Sequence, residues 1–405
     1  AATAYATLDG HATGDMKTYV FKTADYGQTW KPLATGALAG WAHVVREDLV
    51  NPELLFLGTE SGLFLSLDGG VRWARFSGNF PPVAVRDIAI HPRESDLLLA
   101  THGRGIYILD DITPLRKLTR DVLEQEAAFL PSRPAELSVP SSVQDFPGDD
   151  EFVGPNPPEA AAINYYLKKR HLVGDLKLEV YDDKGALLTS LPAGKRRGIN
   201  RVPWPMRLKA PRMPGGNSVV QEPFSFLGPR VPAGTYTVKL TKGDQTLTSQ
   251  VVLVPDPRSK HSAEDRALQA KSAMAAYDLL ETLTWADEAA TGLRDALRNR
   301  AEKLPKDALR KRAEKLADDL AALHATLVAT AEGGWLSGEE QLREKLGSLY
   351  GGINGYEGRP TKSQLDQLRV LGARLDKAAD RLRSLAAAEL PAVNQGLTAR
   401  KLEPV

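Results

Sequence analysis

Thr23-Ala24-Asp25-Tyr26-Gly27-Gln28-Thr29-Trp30 recurs further along the chain as Ser66-Leu67-Asp68-Gly69-Gly70-Val71-Arg72-Trp73. The two aspartates lie 43 residues apart, and the same step again lands on Asp111 in Ile108-Leu109-Asp110-Asp111. The runs before each turn also correspond: Leu54 to Gly58 and Leu63 to Leu65 match Leu97 to Ala100 and Ile106 to Ile108. A period of this length, with several short strands per unit, is the size of one four-stranded propeller blade. The turn chemistry is physical. A short Asp side chain accepts from backbone N–H groups a few residues on and closes a tight hairpin. Gly27 and Gly70 supply a left-handed backbone. Trp30 and Trp73 are then expected to fold back as apolar plugs between blades.

The pattern Ser/Thr-x-Asp-x-Gly-x-Thr-Trp resembles the Asp-box, or BNR repeat, of sialidase-like and sortilin-like propellers. The first copy, with Thr23, Asp25, Gly27 and Trp30, matches at every defined position. The second, with Ser66, Asp68, Gly70 and Trp73, departs at Arg72, where Thr is usual, and the third keeps only Asp111. The stretch from Leu99 to Asp111 is similar to the last blade of large exported bacterial proteins of the sortilin-like BNR class, many of them labelled glycosyl hydrolase by similarity. The resemblance implies a secreted or periplasmic protein. It makes the aspartates turn-formers on the outer rim and places any chemistry on the axis, away from them.

Residues 1–120 hold about three such blades, and the first lacks its opening strand; propellers close with 4–8 blades. The expectation is a partial all-β propeller, its ring completed by a longer precursor or by another chain. The sequence starts Ala1-Ala2-Thr3, without an initiator Met, which reads as a processed chain or a fragment.

After a proline-bearing connector over 121–158, residues 159–256 read as a β-sandwich. Strands are expected over 162–167, 176–181, 186–191, 198–204, 231–240 and 246–254, with Asp182-Asp183-Lys184-Gly185 as a hairpin turn. Trp204 with Pro232-Ala233-Gly234-Thr235-Tyr236 resembles the Ig-like modules of hook-capping and secretion-sorting proteins, which implies spacer or docking roles. Residues 261–405 change vocabulary to Ala, Leu, Lys, Arg, Glu and Asp and read as an antiparallel bundle of four helices. The expected punctuation is Leu304-Pro305, Gly333-Gly334, capping boxes at Ser337 and Thr361, a glycine-rich loop over 351–360, and a stop at Pro391. The chain is thus multidomain: part propeller, part sandwich, part all-α.

Composition narrows function without naming it. The 405 residues carry 52 basic and 51 acidic side chains, which argues against a bulk polyanion binder and leaves no nucleic-acid partner expected. There is no cysteine, so neither disulfide, thiolate nucleophile nor Cys-type metal site is available. No apolar run approaches the ~20 residues of a membrane span. The glycine-rich loop lacks Gly-Lys-Ser/Thr, and neither a Gly-x-Ser-x-Gly elbow nor His-Glu-x-x-His occurs. Asp149-Asp150-Glu151 has oxygen ligands for Ca²⁺ but reads more simply as an exposed acidic turn. The seven histidines are scattered, and neither metal nor cofactor is expected.

A sialidase-type mechanism needs an arginine cluster, a Tyr activated by a Glu, and an acid/base Asp. Of Arg46, Arg72, Arg75, Arg86, Arg93 and Arg104, only Arg104 stands out. It lies beside His102 among glycines that expose backbone, so His102 and Arg104 are the candidate binding residues. The favoured expectation is an exported propeller acting as a binding or scaffold module for a protein or glycan. The alternative is a sialidase-like glycoside hydrolase whose centre lies mostly in other blades; it rests on fold analogy.

Overall fold

The computed structural model describes residues 2–138, 154, 157–217, 223–331 and 339–405. The chain forms two compact units. The first comprises Ala1–Ala135, Val153–Pro205 and Thr235–Val254; the second comprises Glu136–Phe152, Met206–Gly234 and Pro255–Val405.

The first unit begins with three antiparallel sheets, each built from consecutive strands. Sheet one is β1 (Ala4–Gly10), β2 (Asp15–Thr23) and β3 (Lys31–Pro32). Sheet two is β4 (Ala42–Glu47), β5 (Leu55–Thr59), β6 (Gly62–Ser66) and β7 (Ala74–Arg75). Sheet three is β8 (Val85–Ile90), β9 (Leu97–Thr101) and β10 (Ile106–Leu109). Strand alternation gives each sheet two faces. Sheet two is covered on both. Val20 and Leu33 of the first module share a core with Leu55, Leu57, Phe64 and Trp73. The opposite face, with Leu54, Phe56 and Leu63, packs with Val85, Ile88, Leu97 and Leu99 of sheet three.

Trp73 is buried in the first of these cores, and its Nε1–H donates to the Leu33 carbonyl at 2.9 Å. Trp30 was expected to be a plug of the same kind, but it is 45% exposed. Among the described residues of this unit, no neighbouring sheet lies on the outward face of sheet one to receive it.

Two short helices, α1 (Thr113–Arg116) and α2 (Arg120–Glu124), lead from sheet three into a second pair of sheets. One sheet has the order β11-β13-β16, from Ala127–Leu130, Ala161–Leu167 and Gly198–Trp204. The other runs, within this unit, β18-β17-β14-β15, from Gln245–Pro255, Gly234–Lys242, Leu176–Tyr181 and Leu187–Leu191. The short β12 (Ala135–Leu137) spans the boundary between the units. Trp204 and Tyr236 meet edge to face at 5.1 Å, tying one sheet to the other. Burial pushes the Tyr236 phenol up to about 12. Tyr165 is fully buried yet donates to the Gly194 carbonyl at 2.6 Å, satisfying its hydroxyl.

The second unit is helical: α3 (Ala263–Glu302), α4 (Ala308–Leu327), α5 (Leu342–Asn354) and α6 (Lys362–Ala399) share one apolar core. Ser262 opens α3 and Thr361 opens α6, each with a reciprocal capping box. Four expectations fail here. α4 ends at Leu327 rather than at Gly333-Gly334, which lie outside the described residues. The capping box of α5 is Gln341 with Glu344; the Ser337-Gly338 expected for that role also lie outside the described residues. Gly351 to Asn354 are helical rather than loop, because Tyr350 and Ile353 are buried and Asn354 donates to the Phe224 and Leu227 carbonyls. Pro391 lies inside α6 rather than ending it. Beyond it Val393 and Leu397 are fully buried, and that burial outweighs the helical cost of the proline.

Candidate binding site at one end of the three sheets

Each of the three sheets has one end closed by a short hairpin turn. These turns join β1 to β2, β5 to β6 and β9 to β10. The opening residues of β4 and β8 lie at the same end, paired with the last residues of β5 and β9. Asp25, Asp68 and Asp111 follow β2, β6 and β10, and so lie at the opposite end.

At the turn end each sheet carries a register shift, on the corresponding strands β4 and β8 in the second and third sheets and on β1 in the first. The pairing register shifts between Leu8 and Gly10, between Ala42 and Val44, and between Val85 and Asp87. The residues left out of the ladder are Asp9, His43 and Arg86. A bulge re-aims the side chain it carries. Here it brings His43 and Arg86, 43 residues apart, to 3.4 Å between Nδ1 and a guanidinium nitrogen. Glu60, from the β5–β6 turn, completes the group. Its carboxylate lies 3.0 Å from His43 Nε2 and 3.4 Å from the Arg86 guanidinium. The arrangement selects one neutral tautomer, with Nε2–H donating to Glu60 and Nδ1 accepting from Arg86. The His43 side chain is almost wholly buried, whereas that of Arg86 is 44% exposed.

The neighbouring sheet extends the site. Thr7 donates to the His43 carbonyl at 3.0 Å. The His11 ring stacks on Trp41 with centroids 4.7 Å apart, and Trp41 meets His43 edge to face. Asp9 Oδ1 lies 2.5 Å from His11 Nδ1 and also accepts the His11 backbone N–H. That backbone bond leads in holding the Asp9 carboxyl below its ordinary range. The Trp41 Nε1–H is buried without an acceptor.

His102 and Arg104 lie in the β9–β10 turn at this same end. Left-handed Gly103 and Gly105 and the 2.6 Å bond from Thr101 Oγ1 to the Gly105 carbonyl shape that turn. The His102 backbone N–H donates to the Ala84 carbonyl, two residues before Arg86. Both side chains are exposed and take no part in the His43–Glu60–Arg86 group. The sequence reading missed His43, Glu60, Trp41 and His11. It discounted Arg86, although the 43-residue step from His43 to Arg86 was available as a signal.

The opposite end is built from local bonds. Thr23 Oγ1 donates to Asp25 Oδ1 at 2.8 Å and accepts from the Gly27 N–H. Asp25 accepts from both the N–H and the hydroxyl of Thr29. Ser66, Asp68 and Gly70 repeat the pattern, and Arg72 gives Asp68 its N–H at 2.8 Å and its Nε at 2.7 Å. The guanidinium thus takes the place of the Thr29 hydroxyl. Asp111 accepts from the N–H and hydroxyl of Thr113.

Among the described residues, no three His, Asp or Glu side chains converge as a metal site. Asp149-Asp150-Glu151 lie outside those residues. Among the described residues, no helix is long and apolar enough to cross a membrane.

No family model matches the chain, and no curated protein matches it. Among solved structures it is similar to an ancestral GH74 enzyme, at 23% identity over 22% of this chain and 11% of that one, TM-score 0.20. It is similar to YCF48 bound to D1 peptide, at 15% identity over 22% of this chain and 30% of that one, TM-score 0.19. A third likeness is to the extracellular domain of BT4673 from B. thetaiotaomicron, at 10% identity, 58% and 28% coverage, TM-score 0.19. The chain spans less than a third of the length of each of these three.

Proposed function

We propose that residues 1–120 are blades of a BNR-type β-propeller whose turn end is a binding face for a protein or glycan, and that the protein is exported. Thr23, Asp25, Gly27, Trp30, Ser66, Asp68, Gly70 and Trp73 are the structural residues of its Asp-boxes. The sandwich is of Ig-like type and serves as a spacer or docking module.

The observation that carries the reading is the recurrent bulge. It places His43 and Arg86 at equivalent positions of β4 and β8 in two successive sheets, with Asp9 of β1 at the same end of the first sheet. A device repeated in step with the sheets builds one shared surface, with Trp41 and the turn of His102 and Arg104 beside it. Binding is favoured over hydrolysis because the carboxylates of this end are each tied to a neighbour, Asp9 to His11, Glu60 to His43 and Arg86, Asp15 to the Tyr19 hydroxyl and Asp87 to Arg46.

The ring is completed by further blades, from the same precursor or another chain. Native mass spectrometry of the protein from its source tests this, with retention on a glycan array as second readout. The expected result is a polypeptide longer than the 44.0 kDa chain, or a complex with a second one. Arg86→Ala is expected to weaken array retention about tenfold, the worth of one charge-assisted contact. A stable, lone 44.0 kDa monomer would overturn ring completion. Turnover of a glycoside that is abolished by Glu60→Gln would overturn the binding reading.

A further inference from the structure

A different surface of the first unit carries its own inference, independent of the three sheets above. The connection from β13 to β14 runs Lys168-Lys169-Arg170-His171-Leu172-Val173-Gly174-Asp175. At its apex Leu172 is 75% and Val173 87% exposed. Two large apolar side chains at the tip of a loop need a reason, because water is a poor solvent for both.

The apex is held in place. Gly174 takes a left-handed backbone, and its carbonyl lies 3.0 Å from the His171 ring. The His171 N–H donates to the Lys195 carbonyl at 3.0 Å, stitching the apex to the β15–β16 connection. That second loop is fixed in turn by Asn200, whose side chain accepts from the Arg196 N–H and donates to the Arg196 carbonyl.

Charge accompanies the apolar tip. The two stitched loops present Lys169, Arg170, Lys195, Arg196 and Arg197, all exposed. Among the described residues no carboxylate pairs with any of them. The acids at this end are largely spent elsewhere: Glu124 on Lys168, Asp175 on Lys177 and Glu126 on Lys242. Asp244, in the β17–β18 turn, is the remaining anion near Asp175, and the balance stays positive.

We infer that the Leu172-Val173 apex and its basic flank form a docking site for an anionic lipid surface. An apolar tip flanked by cations matches the bilayer boundary, where acyl chains lie beneath a negative headgroup layer. The match is to that interface rather than to a soluble polyanion, which would use the cations and leave the two aliphatic side chains in water. Aromatic platforms for stacking bases are absent from both loops.

The test is co-sedimentation of the whole protein with vesicles of phosphatidylcholine, alone or with about one third phosphatidylserine. Two double variants accompany the wild type: Leu172→Ser with Val173→Ser, and Arg196→Glu with Arg197→Glu. Unchanged thermal unfolding midpoints confirm that both remain folded. The expected result is wild-type binding to the phosphatidylserine vesicles only, weakened at high salt and about tenfold or more by either double variant. Failure of the wild type to sediment with phosphatidylserine vesicles overturns the inference. So does loss in the charge variant with full binding in the apex variant, paired with equal retention of wild type and apex variant on heparin. That pattern would mark a polyanion site instead.

Discussion

At the residue scale the two aspartate turns cap the aspartate with different side chains and keep the same bonding. Thr29 caps Asp25 with a hydroxyl, and Arg72 caps Asp68 with a guanidinium nitrogen. Arg72→Thr is therefore expected to leave stability within about 0.5 kcal/mol, as for an exposed substitution that keeps its bond. Asp68→Ala removes the acceptor of Ser66 and Arg72 together and is expected to cost about 1–2 kcal/mol. Urea unfolding of the two variants, read by amide exchange in β6, separates these outcomes. Asp25 is held down to about 2, led by the Thr29 hydroxyl bond, against an ordinary 3.8. A depressed carboxyl contributes stability that is present above its unfolded pKa and fades as the pH falls toward its folded one. The turn should therefore loosen between about pH 4 and 2, and Thr29→Val should shift that loosening to higher pH. Carboxyl titration by NMR checks both points. These turns were legible in the sequence because the side-chain bonds of Thr23, Asp25, Ser66 and Asp68 all span four residues or fewer. The His43–Glu60–Arg86 group was not, since its members come from three elements and meet only through two bulges.

At the element scale, local signals were readable where they agreed with burial and misleading where they did not. In the second sheet pair β14, β16 and β17 alternate about one buried face and lie close to the bounds expected, whereas β11 falls within the stretch read as a connector. The capping box expected at Thr361 completes its own bonds locally. Pro391 is the counterexample. A proline inside a helix loses one hydrogen bond and crowds the preceding turn, at about 3 kcal/mol. The segment beyond it recovers more than that. Val393 and Leu397 are fully buried, Gly396 lets Leu309 approach, and Asn394 bonds both ways with the backbone of Val405. Leu397→Ala is expected to cost about 2–5 kcal/mol. Pro391→Ala should leave the helical unit as stable or raise its stability, because only the proline's penalty is removed. Denaturant unfolding followed by helical circular dichroism tests the pair. A large loss in Pro391→Ala would mean that the proline shapes the packing rather than being carried by it.

At the scale of the whole molecule the three sheets are repeated, but their surroundings are not. Sheet two has a neighbour on each face. Among the described residues sheet one has one only on the face of Val20, and sheet three only on the face of Tyr107 and Leu109. The outward faces are apolar all the same. Phe21, stacked with Tyr19, is the counterpart of the buried Phe64, and Trp30 is the counterpart of Trp73. Ile106 and Ile108 are the counterparts of Leu63 and Leu65, yet they stand 73% and 58% exposed. Equivalent side chains thus contribute to stability only where a next sheet covers them. Trp73→Ala removes a buried ring and its bond to Leu33, and is expected to cost about 3–5 kcal/mol. Trp30→Ala in the same chain is expected to cost under about 0.5 kcal/mol, as a surface change. Amide exchange at Val20 and Leu57 reads each loss within the first unit. If the proposed ring is restored with the remaining blades, the two substitutions should become comparably costly, because Trp30 would then find the seat that Trp73 already has. Should Trp30→Ala stay neutral in the restored assembly, the outward face of sheet one would not be a blade interface, and its aromatic residues would need another occupant.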